Sequence, residues 1–111
     1  MDRKQLIRQY KERRPDMGVY ALKSGVSGVC YMGCARDLRA IINRHTFMLS
    51  TGSHDNRAML EDWTANKDSF ESLVLETLEY DKKAPGRDYT EDLKTLLELW
   101  IEKTDSEVVL L

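Results

Sequence analysis

A chain of 111 residues that is 41% hydrophobic and 32% charged has the composition of one soluble globular domain, and it is long enough to bury a core without disulfides or metals. No stretch approaches the roughly 18 consecutive apolar residues of a membrane span, and polar residues 1–9 do not form a signal peptide, so we expect a cytoplasmic protein with no membrane partner. The formal net charge is −2, but residues 1–57 hold 11 Lys or Arg against 5 Asp or Glu, whereas residues 58–111 hold 6 against 14. The basic half favours an anionic partner, although solvated helix faces produce the same asymmetry.

The first predicted element is an amphipathic helix over residues 2–14. Leu6, Ile7 and Tyr10 follow helical spacing, and Pro15 ends the pattern. The charged side chains of this segment sum to +4, from six basic and two acidic residues. We therefore expect an added basic helix at residues 1–15, ahead of the rest of the domain.

A β-hairpin is predicted next. Two short blocks, Gly18-Val19-Tyr20 and Tyr31-Met32-Gly33, flank a turn-rich segment at residues 24–28. If Gly25-Val26 forms a two-residue loop, the strand pairing places Tyr20 directly opposite Tyr31. The two phenols would then lie side by side on one face of the sheet.

Two helices are predicted after the hairpin. Residues 36–49 show the i, i+3, i+4, i+7 spacing of a helix packed on one side, and His45 falls within its apolar stripe. Ser53 or Asp55 is the expected N-cap of the next helix, at residues 55–65.

The last part of the chain predicts a strand and a closing helix. Residues 70–78 are apolar on both faces, which favours a strand covered on both sides. After a loop at residues 81–88, Thr90 is the expected N-cap of a helix over residues 90–103. The elements together predict an α+β domain over residues 1–111, in which a small three-stranded antiparallel sheet is flanked by helices.

Cys30 and Cys34 are the only cysteines. Four residues apart on one strand, their Cα atoms would be about 13 Å apart, whereas a disulfide needs less than about 7 Å, so we expect two reduced thiols. Cys34 also precedes a predicted helix, a position where the pKa of a thiol can fall. A soft-metal site that joins Cys34 to His45 and His54 stays open, although no two of the three lie at a compact ligand spacing.

The order of these features resembles the GIY-YIG endonuclease superfamily. The resemblance covers residues 17–103 and rests on the two tyrosine blocks, on Arg44-His45 in the helix that follows them, on His54, and on Trp100-Ile101 in the closing helix. It implies DNA or RNA as the partner and phosphodiester cleavage as the reaction. A tyrosine would activate water or act as the general base, an arginine would stabilise the developing charge, and a glutamate of the last helix would bind one Mg²⁺ or Mn²⁺.

Two functional positions of that family hold aliphatic residues in this chain. The position of the arginine is Ile41, and that of the glutamate is Leu97. At about 100° per residue, Arg44 points about 60° from the direction of Ile41, and Glu98 is turned about 100° from Leu97. An asparagine that many family members carry after the last helix has no counterpart in residues 105–111.

Three hypotheses remain open. The chain binds nucleic acid with weak or absent cleavage; it is an active nuclease in which Arg44, with Glu98 or Glu61, replaces the missing groups and Mg²⁺ or Mn²⁺ is the cofactor; or its pocket is reused for a small molecule or for other chemistry. No metal ligand is predicted. The candidate catalytic residues are Tyr20, Tyr31, Arg44, His45 and His54, and the candidate binding residues are Arg36, Arg39 and Cys34.

Overall fold

The computed structural model describes residues 14–84 and 86–111. The predicted basic helix at residues 2–14 therefore lies outside the described residues, apart from Arg14. In chain order the described elements are β1 (Met17–Ser24), β2 (Cys30–Ala35), α1 (Leu38–Thr51), α2 (Arg57–Asn66), a 3-10 turn (Lys67–Ser69), β3 (Phe70–Leu78), α3 (Thr90–Lys103) and β4 (Val108–Leu110).

The sheet has four strands in the order β3-β1-β2-β4. β1 is antiparallel to both of its neighbours, whereas β4 runs parallel to β2. The predicted three-stranded antiparallel sheet is therefore wrong in strand number and in one orientation. The sequence signal failed because β4 has only three residues, too few to show the alternation of a strand.

The hairpin loop is longer than predicted, and it shifts the register of the two strands. The Ser24 backbone N–H donates to the Val29 carbonyl at 3.1 Å, so residues 25–28 form a four-residue loop. Tyr20 consequently pairs with Gly33, and Tyr31 pairs with Leu22. The predicted pairing of Tyr20 with Tyr31 is wrong by two residues. Because side chains alternate with a period of two, this shift leaves both tyrosines on the same face, diagonal rather than opposite.

The helices begin at caps that the sequence analysis partly missed. Asp37 caps α1 by accepting a hydrogen bond from the Ala40 backbone N–H. The C-cap that follows Thr51 is Gly52, in the left-handed conformation with φ +74°. Asn56 caps α2, rather than Ser53 or Asp55. Thr90 is the first residue of α3, not its N-cap. Its backbone N–H donates to the Asp88 carboxylate.

The two faces of the sheet carry separate apolar clusters. α1 and α2 cover one face, where Leu22, Tyr31, Leu49 and Met59 pack together. α3 covers the other, where Leu96, Leu97, Trp100 and Ile101 pack against buried side chains of β1 and β2. β3 lies at the edge of the sheet and none of its residues is buried, so the prediction of a strand covered on both sides is wrong.

None of the helices in the described part of the chain combines the length and apolarity of a membrane span.

Candidate functional site

Tyr20, His45 and His54 form a continuous chain of hydrogen bonds beneath α1. The Tyr20 hydroxyl oxygen lies 2.8 Å from His45 Nε2, and His45 Nδ1 lies 2.8 Å from His54 Nε2. Tyr20 comes from the centre of β1, His45 from the inward face of α1, and His54 from the segment between α1 and α2. The structure thus brings together three of the five residues predicted as catalytic.

The direction of these hydrogen bonds follows from a third contact. The Asn56 backbone N–H donates to His54 Nδ1 at 3.0 Å, so that nitrogen carries no proton. A neutral His54 is therefore protonated at Nε2 and donates to His45 Nδ1, and a neutral His45 in turn donates from Nε2 to the Tyr20 oxygen. The Tyr20 hydroxyl accepts a hydrogen bond and keeps its own proton for a second partner.

The pKa shifts of His45 and Tyr20 favour the same direction of these hydrogen bonds. Burial, followed by the neighbouring His54 and Arg44, lowers the pKa of His45 below its ordinary value, which keeps the ring neutral. Burial, and then the nearby Cys34 thiol, raises the pKa of Tyr20 to about 12. Near neutral pH, Tyr20 is accordingly a protonated phenol and not a phenolate.

The glycines of the two tyrosine blocks are explained by close contacts. The Tyr20 ring lies across Gly33, and a Cβ atom at Gly33 would sit 2.7 Å from the Tyr20 hydroxyl oxygen. A Cβ atom at Gly18 would sit 1.9 Å from the Glu76 carbonyl oxygen, because β3 shifts register against β1 between Val19 and Tyr20. Neither glycine has room for a side chain.

Tyr31 has a different partner, Asp62 of α2, which the sequence analysis did not single out. The Tyr31 hydroxyl donates to Asp62 Oδ2 at 3.0 Å, and Ser27 donates to the same oxygen at 2.6 Å. Ser24 and Asn66 donate to Oδ1, each at 3.1 Å. Burial, and next the bond to Asp62, raises the pKa of Tyr31 to about 12. One available signal was the four-residue spacing of Asp62 and Asn66, which lets the two side chains meet on one helix face.

Comparison with solved structures bears on the fold. Two structures of the catalytic domain of the homing endonuclease I-TevI, one of them a mutant, match this chain with TM-scores of 0.61 and 0.62 at 23% sequence identity. The matches cover 79% and 78% of this chain and 82% and 86% of the I-TevI chains. The chain has the GIY-YIG fold. No model of a protein family matches the sequence, and a search of curated proteins finds no match.

The GIY-YIG resemblance implies a metal-binding glutamate at position 97. This position holds Leu97, which contacts the apolar core. Leu97 packs with the buried cluster that includes Val19 and Met32, between α3 and the sheet. Its neighbour Glu98 is exposed. A carboxylate at position 97 would therefore be half-buried against hydrocarbon side chains.

The Asp62 carboxylate is already occupied by hydrogen bonds within the protein. The four lone pairs of Asp62 are matched by four donors, from Ser24, Ser27, Tyr31 and Asn66. Over residues 14–84 and 86–111, no group of three His, Cys, Asp or Glu side chains could hold a metal ion. Position 97, where the resemblance implies the ligand of Mg²⁺ or Mn²⁺, supplies no carboxylate.

Cys34 lies apart from His45 and His54. It packs on the α3 side of the sheet, in the cluster with Met17 and Leu93, so a site shared with His45 and His54 is not formed. Cys30 and Cys34 are both free thiols, as predicted. Burial raises the pKa of the Cys34 thiol, opposite to the lowering considered from its position before α1.

The candidate arginines are spread along the surface of the protein. Arg44 is exposed on α1 and is close enough to His45 to lower the pKa of that ring. Arg39 lines an open groove of about 630 Å³ between α1 and β3. Arg36 forms an ion pair with Asp88 and also contacts Thr90. Of these three arginines, only Arg44 lies close enough to His45 to lower the pKa of its ring.

Proposed function

We propose that this protein is a nucleic-acid-binding domain with the GIY-YIG fold in which metal-dependent phosphodiester cleavage is weak or absent. The observation that carries the proposal is the mismatch between the two halves of the expected site. The tyrosine and histidine half is assembled, as the Tyr20–His45–His54 hydrogen bonds indicate. The arginine and glutamate positions hold Ile41 and Leu97, and Leu97 belongs to the core.

The physical consequence for cleavage is large. Removing one group that stabilises transition-state charge costs roughly 10² to 10³ in rate, and a metal ion contributes further by stabilising charge and activating water. The tyrosines are also poorly placed for attack. Tyr20 and Tyr31 are 2% and 3% exposed, and each hydroxyl is already bonded to a protein side chain. A general base has to reach the proton that it removes.

Support for binding comes from the charge around the same residues. The segment from residue 38 to residue 54 contains Arg39, Arg44, His45 and His54 and no Asp or Glu. Both arginines are exposed. A surface of this kind attracts phosphate groups by releasing their counterions, so the affinity should fall steeply with salt.

The test is fluorescence anisotropy with labelled single- and double-stranded DNA and RNA at about 50 and 200 mM salt. We expect binding at the lower concentration that weakens at the higher one, and no detectable cleavage with Mg²⁺ or Mn²⁺. Arg44→Ala should weaken binding, whereas Arg87→Ala should not, because Arg87 is already paired with Asp92. An absence of binding to every probe at about 50 mM salt would refute the proposal.

One observation favours an active nuclease as the second candidate. His54, Arg57 and Glu61 line an open groove of about 540 Å³, so a carboxylate and a cation lie next to the end of the hydrogen-bonded chain. In that case the protein cleaves DNA with Mn²⁺, and both Glu61→Gln and Tyr20→Phe abolish cleavage. The burial of Tyr20 and Tyr31 counts against the remaining candidate, a small-molecule pocket built on their hydroxyls.

A further inference from the structure

The outer face of α1 carries an exposed aromatic side chain that the folded core does not use. Phe47 is 65% exposed, although it lies in the middle of a helix whose inward residues Leu38 and Leu49 are only 2% exposed. We propose that this face is the surface that holds nucleic acid, with Phe47 stacking on an unpaired base and Arg39 and Arg44 contacting the phosphates. The inference rests on the proposed function and names the surface responsible for it.

Around the axis of α1, Phe47 points in a direction between those of Arg39 and Arg44. At about 100° per residue, Phe47 points about 80° from Arg39 and about 60° from Arg44 around the helix axis. Along the axis it lies about 12 Å from Arg39 and about 4.5 Å from Arg44, at 1.5 Å per residue. Asn43 and Ser50, both exposed, occupy the same side of the helix and add polar groups.

The chemistry of the surface favours nucleic acid as the partner. α1 contains two arginines and no acidic residue, so no carboxylate of this helix repels a phosphate. An aromatic ring beside guanidinium groups provides the two contacts that single strands use, since bases stack on the ring and phosphates pair with the cations. Leu99 is also an exposed apolar residue, but its surroundings would not attract a phosphate. It is 47% exposed on α3, but its neighbours there include Glu98 and Glu102.

The surface also adjoins the residues described above. Arg44 precedes His45, whose ring bonds to Tyr20 and His54. Arg44 is turned about 100° from His45 around the helix axis, so a strand that contacts Arg44 stays on the outer side of α1. Both features belong to α1: the Tyr20–His45–His54 hydrogen bonds lie on its inward side, and Phe47 lies on its outward side.

The experiment measures binding of a fluorescein-labelled 12-nucleotide single strand at 50 mM salt. Phe47→Ala and Phe47→Leu should each weaken binding about tenfold, because both lose the aromatic ring, while Phe47→Trp should bind as well as the wild type. Leu99→Ala is the matched control and should leave the affinity unchanged. A strand that contains 2-aminopurine should lose fluorescence on binding to the wild type and keep it with Phe47→Ala. Unfolding midpoints of all variants check that each is folded.

The possible outcomes separate the stacking role of Phe47, the proposed function and self-association of the protein. If the wild type binds and Phe47→Ala binds equally well, while Arg44→Ala is weaker, the stacking role is refuted and the proposed function stands. If the wild type binds no probe at 50 mM salt, the proposed function itself fails. If Phe47→Ala changes the oligomeric state in light scattering and leaves oligonucleotide binding unchanged, the face is a contact between copies of this chain and the proposal is overturned.

Discussion

The direction of the hydrogen bond between His45 and Tyr20 depends on a backbone amide that does not touch Tyr20. The Asn56 N–H occupies His54 Nδ1, which leaves both histidines donating toward Tyr20. The same residue caps α2, because its side chain accepts a hydrogen bond from the Met59 N–H. A single turn therefore starts α2 and orients the hydrogen bonds beneath α1. In this arrangement Tyr20 is a hydrogen-bond donor toward any ligand that reaches it.

Gly33→Ala tests the close contact between Tyr20 and β2. The added methyl group would lie 2.7 Å from the Tyr20 hydroxyl, so the ring has to move and the bond to His45 is lost. We expect a loss of about 1–3 kcal/mol in the free energy of unfolding, measured in urea. Gly86→Ala is the control, since nothing lies within 4 Å of a Cβ atom there. Equal stabilities of the two variants would contradict the described packing.

Asp62→Asn tests the role of its carboxylate at low pH. Burial alone would raise the pKa of Asp62, but the hydrogen bonds from Ser27, Asn66, Tyr31 and Ser24 outweigh it and hold the pKa below its ordinary value of 3.8. A carboxylate with a depressed folded pKa stabilises the protein above its unfolded pKa, and this contribution disappears as the pH falls through the folded pKa.

We therefore expect Asp62→Asn to cost about 1–3 kcal/mol at pH 7, because donors that faced a charged acceptor lose it. The difference from the wild type should shrink below about pH 4. Urea unfolding at pH 7, 4 and 3 measures it, with the exposed Asp68→Asn as the control. A difference that is constant over this range would mean that the charge of Asp62 does not contribute.

Among the elements, β4 shows how a very short strand is stabilised by its surroundings. β4 pairs with Cys30–Met32 of β2, and further backbone bonds flank this pairing, from the Cys30 N–H to the Glu107 carbonyl and from the Leu111 N–H to the Met32 carbonyl. Val108 packs on the α3 side of the sheet, and Val109 packs on the side of α1 and α2. The strand therefore extends both apolar clusters at the edge of β2.

Val109→Ala and Leu110→Ala should differ although the residues are neighbours. Val109 packs against the cluster of Leu22 and Tyr31, so its truncation should cost about 1–2 kcal/mol. Leu110 is exposed, and its truncation should change the free energy of unfolding by less than about 0.5 kcal/mol. Denaturant unfolding compares the two, and the reverse order would contradict the register of β4.

Across the folded chain, the two helical layers differ in charge. α1 has two arginines and no acidic residue, whereas α3 has Glu91, Asp92, Glu98 and Glu102 against two lysines. The sheet lies between the two layers, so the acidic helix faces away from the surface proposed to hold nucleic acid. The electrostatic field of the protein would therefore steer an approaching phosphate backbone toward the basic side.

Neutralising α3 should affect binding in a salt-dependent way. Layers on opposite sides of a sheet are roughly 20 Å apart, which exceeds the Debye length of about 8 Å at 0.15 M salt but not that of about 30 Å at 0.01 M. The triple variant Glu91→Gln, Glu98→Gln, Glu102→Gln should bind oligonucleotides more tightly at 0.01 M salt and within about twofold of the wild type at 0.15 M. A large gain at both concentrations would show that nucleic acid contacts α3 directly.

Much of the fold follows from local sequence patterns. The strand Phe70–Leu78 and the helix Thr90–Lys103 have the predicted bounds, because each is a long apolar pattern with clear turn residues before it. The two tyrosine blocks and the positions of the histidines indicated the GIY-YIG fold, and the solved structures support it. The predictions failed where the signal was short or nonlocal, as in β4, the four-residue hairpin loop and the choice of Asn56 as a cap.

The sequence by itself determined which residue types were available, and the tertiary structure decided which of them meet. Tyr20, Tyr31, His45 and His54 could all be named from their order along the chain. That Tyr20 bonds to His45 while Tyr31 bonds to Asp62 depends on the packing of α1 and α2 on the sheet. The physical reason is the separation along the chain, since these pairs lie 25 and 31 residues apart. Contacts of that range are set by how whole elements pack and not by the spacing within any one of them.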